Sequence, residues 1–173
     1  MLLSRFRFAT LIAGATLLVS ACGFEPLHRG SSRSSALALA NVEIARIEDR
    51  AGQMLRNELL ARMAPRGYAA SPEWKLVVEL SESKKEALLE ETSFSTRADV
   101  IITARTRLIR QSDGLVIDNG SVDAVSSYNI LSAAQEYANV VSERNAREGA
   151  IRQVARDIVR QVSVWLRNVE PGS

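Results

Sequence analysis

Polar and apolar positions alternate with a period of two over much of the middle of the chain, and helical periods flank that region. Trp74, Leu76, Val78 and Leu80 alternate with Lys75, Val77 and Glu79, the pattern of a strand with one face turned to a core. Asp99 to Arg110 repeats it more cleanly. Val100, Ile102, Ala104, Thr106 and Leu108 occupy one face, and Ile101, Thr103, Arg105, Arg107 and Ile109 the other. Gln111-Ser112-Asp113-Gly114 follows, and Asp-Gly is a strong hairpin signal. Leu115 to Tyr128 then returns antiparallel, with Asn119-Gly120 as a bend or bulge. Earlier, Val42, Ile44 and the run to Ile47 read as a first strand. The charged stretch Ser81–Glu91 fits either a long bent strand or a strand, a turn and a second strand.

Two segments carry the helical period. Ala51, Met54, Leu55, Leu59 and Met63 fall on one side of a helix from Arg50 to about Met63, capped by Asp49 and stopped by Pro65-Arg66-Gly67. Ile151, Val154, Ala155, Ile158, Val159, Val162, Trp165 and Leu166 form the apolar stripe of a long final helix. It begins near Gln135 or Ser142, and Pro171 and Gly172 end the chain. The order β-α-β-β-β-α predicts an α+β fold: a single antiparallel or mixed four-stranded sheet with two helices on one face. The other face is left uncovered. It carries Arg105 and Arg107, so it is either solvated or a binding surface. Trp74 and Trp165 lie on the apolar phase of their elements and belong to the core.

The N-terminus follows a different rule. Arg5 and Arg7 precede an apolar run from Phe8 to Val19, closed by the small residues Ser20 and Ala21. That is the order of a secretory signal peptide, and the run is shorter than the ~20 residues of a membrane-spanning helix. Directly behind it stands Cys22, the chain's only cysteine. A lone thiol in an oxidising compartment has no partner. Val19-Ser20-Ala21-Cys22 resembles the bacterial lipobox, which implies cleavage before Cys22, acylation of its sulfur and attachment to a membrane by lipid. An Asp behind the cysteine is the usual inner-membrane retention signal in such lipoproteins. Gly23 stands there, so the resemblance implies delivery to the outer membrane. Residues 28–38 are Ser-rich without periodicity and read as a tether. The expected division is residues 1–21 as signal peptide, 22–38 as lipidated N-terminus and tether, and 39–173 as a single α+β domain.

Composition narrows the function. Lys and Arg number 22 and Asp and Glu 20, and the signal peptide holds two of the basic residues, Arg5 and Arg7. The remaining chain is charge-balanced, which makes no case for nucleic acid. His28 is the only histidine and lies in the tether, so a Ser-His-Asp or Cys-His site lacks its base. Metal-ligand spacing and a Gly-rich phosphate loop are absent from the sequence, and no catalytic residue, metal or cofactor is expected. Two basic groupings remain. Arg105 and Arg107 project from one strand face and, with Arg97 and Arg110 nearby, suit a phosphate-bearing ligand, against the simpler reading of cross-strand pairs with acidic neighbours. Arg152, Arg156 and Arg160 form a stripe on the last helix and read as a solvated face.

Cys22-Gly23-Phe24-Glu25-Pro26-Leu27, behind the lipobox, resembles the mature start of the LPS-assembly lipoprotein (LptE) family. Ser127-Tyr128-Asn129, Tyr137-Ala138, Ser142-Glu143-Arg144-Asn145-Ala146-Arg147 and the Ala155-Arg156-Asp157-Ile158 helix are similar too, as is the element order. The resemblance implies a lipid-anchored protein that plugs a large outer-membrane β-barrel (LptD), helps it assemble and contacts lipopolysaccharide. Arg105 and Arg107 as the lipopolysaccharide site are an inference from strand geometry, not from a family motif. The alternative is an accessory lipoprotein of an envelope lipid-transport ABC system.

Overall fold

The computed structural model describes residues 31–87, 96–131 and 135–169. The expected signal peptide, Cys22 and tether residues 22–30 lie outside them. Ser35–Ser173 forms one compact unit, an α+β domain built on a four-stranded sheet of order β1-β2-β3-β4. In chain order the elements are α1 (Ser31–Ala40), β1 (Val42–Ile44), α2 (Asp49–Met63), β2 (Trp74–Ala87), β3 (Thr96–Arg110), β4 (Val116–Ile130) and α3 (Glu136–Val169). β1 runs parallel to β2, and β2, β3 and β4 are antiparallel neighbours. The sheet is thus mixed.

The period-two pattern sorts residues as expected. Val100, Ile102, Ala104, Thr106 and Leu108 of β3 and Trp74, Leu76 and Val78 of β2 are buried. They pack with Leu55, Leu59 and Met63 of α2 and with Ile151, Val154, Ile158, Val162 and Trp165 of α3 in one apolar core. Both helices therefore cover the same face. Full burial of a Leu or Ile side chain contributes about 1.5–3 kcal/mol, so this core is the main source of stability in a domain without disulfides. Trp74 also carries Arg110 over its ring, 5.7 Å from the centroid, a contact of cation–π type.

Four local readings are corrected. Residues 31–38, read as tether, are helical in α1. Ala36 to Ala40 alternates Ala and Leu, both strong helix formers, and Ala38 and Leu39 pack against the core. Asp49 is not a cap: it is the first residue of α2, at φ 63°, and Glu48 at the cap makes no side-chain hydrogen bond. The first strand stops at Ile44 rather than running on to Ile47. The register shift in β4 lies opposite Leu108/Ile109, where Ile117 is the unpaired residue, not at Asn119-Gly120.

Gly120 pairs regularly with Thr106, and its missing side chain has another use. A Cβ there would stand 1.9 Å from Nε2 of Gln161. That space lets the Gln161 amide reach past β4 to the buried Thr106 hydroxyl, which donates to Oε1 at 3.1 Å. The β3–β4 hairpin is as expected: Asp113 Oδ1 accepts from the Leu115 N–H at 3.1 Å and Gly114 takes φ 71°, a left-handed conformation glycine adopts without strain.

Candidate functional site

The helices leave the second sheet face open, and the odd-numbered positions of the strands look out from it. Lys75, Lys85, Arg97, Arg105 and Arg107 stand there against Glu43, Glu79, Asp99 and Asp123, so the face is net basic by one charge. Register places Arg105 between Glu79 and Ser121, and Arg107 between Val77 and Asn119. The two predicted arginines do share this face and are exposed, but they differ. Arg107 Nη2 donates to Glu79 Oε1 at 2.8 Å, the cross-strand pairing weighed from the sequence. Both partners are about half exposed, 49% and 61%, and such pairs are worth ~0.2–1 kcal/mol. Arg105 has no ion-pair partner within 4.0 Å among the described residues. Arg97 donates to Ser127 Oγ at 2.8 Å. Ile101 and Val125 pair in the same face, and Val125 is 60% exposed. The face thus offers an unpaired cation at Arg105 and, four residues further along the strands past Thr103 and Asp123, a small apolar area.

A second polar centre was not foreseen. At the far end of the sheet, Ser81–Glu86 of β2 is exposed on both faces. There Arg147 Nε donates to both oxygens of Glu82, each at 2.9 Å, and Nη2 to Glu143 at 2.7 Å. Lys84 Nζ also donates to Glu143, and the Tyr128 hydroxyl donates to it at 3.3 Å. The cluster clasps α3 to β2 and β4. The Lys84 hydrogen bond holds the Glu143 carboxyl below its usual range, helped by Arg147 and opposed by burial. The Glu82 hydrogen bond raises the Arg147 guanidinium further above its ordinary value. Burial, then the Glu143 charge, raises the Tyr128 phenol. A cavity of about 690 Å³ lies beside the clasp, lined also by Ala51, Met54 and Val140. Its lining mixes both signs, Asp49, Glu82, Glu143 and Glu148 with Arg50, Arg144 and Arg147, and Arg144 and Arg147 pair with Glu148, Glu82 and Glu143, so it presents no single-sign field. The i, i+4 spacing of Glu143 and Arg147 is the only part of this cluster visible in local sequence.

Arg152, Arg156 and Arg160 are exposed and pair along their own helix with Glu148, Gln153 and Asp157, a solvated stripe as read. No three His, Cys, Asp or Glu side chains converge as a metal site among the described residues, and no helix among them is long and apolar enough to cross a membrane.

No sequence profile of a known family and no curated protein matches the chain. Solved structures do match. A protein of Caulobacter crescentus CB15, provisionally described as a lipoprotein, superposes with a TM-score of 0.64 at 23% identity, over 80% of this chain and 99% of that one. Rare lipoprotein B of Shewanella oneidensis gives 0.57 at 12% identity, over 75% and 98%. A minor lipoprotein of Acinetobacter baumannii gives 0.51 at 17%, over 71% and 91%. At these identities the likeness is one of fold: the chain has the architecture of a group of bacterial lipoproteins.

Proposed function

We propose that the protein is an outer-membrane lipoprotein, anchored through acylated Cys22, that plugs and helps assemble an LptD-type β-barrel and takes part in moving lipopolysaccharide to the outer leaflet. The observation that carries this reading is the shared fold with bacterial lipoproteins, joined to a sequence in which the lone cysteine stands behind a signal peptide and before Gly-Phe. The physics is consistent. A large barrel encloses a polar lumen, and a charge-balanced domain held by lipid at the same membrane reaches it at high effective concentration. The open face supplies the contact with lipopolysaccharide, whose lipid A phosphates suit Arg105 and Arg107 and whose acyl chains suit the apolar area at Ile101 and Val125. The protein acts by binding and filling space, not as an enzyme.

Affinity purification of the acylated full chain from detergent-solubilised outer membranes tests this. The expected co-purifying protein is a large β-barrel. Recovery of ABC-transporter subunits in its place rejects the barrel reading in favour of the accessory-lipoprotein one.

A further inference from the structure

The two long open margins of the sheet, on β2 and on β4, are treated differently. β1 pairs only with Trp74–Leu76, so among the described residues the outer edge of β2 is bare from Val77 to Ala87. That stretch carries Glu79, Glu82, Lys84, Lys85 and Glu86, the charged guard by which proteins keep an edge from pairing with another strand. The outer edge of β4 has no neighbour among the described residues and no guard. Gly120 to Ile130 contains no proline and no lysine, and Asp123 is its only charge. It is unbroken by the bulge, which sits before it at Ile117.

Both ends of this stretch are closed by side chains. The Asp118 carboxylate accepts from the Asn119 N–H at 2.7 Å. At the other end the Asn139 amide takes both groups of Leu131: the N–H donates to Oδ1 at 2.7 Å and Nδ2 donates to the carbonyl at 3.1 Å. That amide stands where a neighbouring strand's peptide group would. Counting back in twos from Leu131, Ser121, Asp123, Val125, Ser127 and Asn129 turn their N–H and C=O outward. Along the Ser126–Leu131 half of this edge lies a groove of about 550 Å³ between β4 and α3, to which Ser126, Tyr128, Ser142 and Asn145 contribute and in which no charged residue takes part.

We propose that the β4 edge from Gly120 to Ile130 is completed by an extended, uncharged segment of a partner polypeptide, its main chain paired with β4 and alternate side chains seated in the groove against α3. Strand addition of this kind draws affinity from main-chain hydrogen bonds and specificity from pockets for every second side chain. The lack of charge in the groove selects an uncharged segment, since a buried charge without a partner is costly.

The test uses the full chain and a phage-displayed library of random peptides of about 12 residues, the length of extended chain that spans the edge. The expected binders are uncharged and proline-free, and they slow hydrogen exchange at Ser121, Asp123, Val125, Ser127 and Asn129. Val125→Pro removes one outward N–H while sparing the β3 ladder, and Asn145→Lys puts a charge in the groove from an exposed helix position. Each weakens binding about tenfold or more, and Gln53→Ala, on the exposed side of α2, leaves it unchanged. If Val125→Pro also loses protection of the β3 amides, Asn145→Lys alone decides. Enrichment of no peptide, binding that survives Asn145→Lys, or a dimer in sedimentation that Val125→Pro dissolves overturns the proposal, the last because a second copy then occupies the edge.

Discussion

At the scale of single residues, Arg105 and Arg107 are two positions apart and face the same way, yet only Arg107 is neutralised, by Glu79 at 2.8 Å. A phosphate approaching Arg107 competes with a carboxylate, whereas Arg105 is available without breaking a pair. Arg105→Glu is therefore expected to weaken lipopolysaccharide binding about tenfold, a change of ~1.4 kcal/mol, and Arg107→Glu less. Titration of each purified variant with lipopolysaccharide measures the difference, and equal losses would remove the distinction. Both side chains are exposed, so each variant's folding stability stays within ~1 kcal/mol of the parent's. The common face of these arginines was legible in the sequence because strand side chains alternate strictly. The Glu79 partner was not, because it depends on the β2–β3 register, which no local pattern states.

At the scale of elements, α3 is 34 residues long, ~50 Å at 1.5 Å per residue. Its C-terminal part is held by the core and its N-terminal part by the Glu82–Arg147–Glu143–Lys84 clasp. Glu143 titrates below its unfolded value. Its contribution to stability is complete above the unfolded carboxyl's pKa, about 4.3, and is lost as the pH falls through the lower folded value. Glu143→Gln should cost about 1 kcal/mol at neutral pH and flatten the acid limb below about pH 4.3. Urea unfolding at pH 7 and pH 3 reads both, and an unchanged acid limb would show that the clasp carries no stability. The strands and helices that bury one face were legible from periodicity. The end of β2 was not, since Ser81–Glu86 meets solvent on both sides and so has no alternation to read. α1 was missed because the serines at its start mask the Ala-Leu run that docks it.

At the scale of the whole molecule, no helix among the described residues is long and apolar enough to cross a membrane; the attachment proposed above is lipid on Cys22. Cys22→Ala should abolish palmitate labelling and move the protein from the membrane to the soluble periplasmic fraction, since two acyl chains supply stable anchoring and none supplies little. Retained label would sink the assignment. A pull arriving along the chain from that side reaches α1, docked through Ala38 and Leu39, and then β1, the first strand of the sheet. β1 holds three rungs on β2, Val42 to Ile44, reinforced by the Ala45 N–H on the Leu76 carbonyl and the Ile44 N–H on the Tyr68 hydroxyl. The β2–β3 and β3–β4 ladders behind it each run the length of their strands. With the fewest rungs, β1 is expected to yield to such a load before the three long strands. Its release bares the backbone of Trp74 to Leu76 and lengthens the open margin of β2 by three residues.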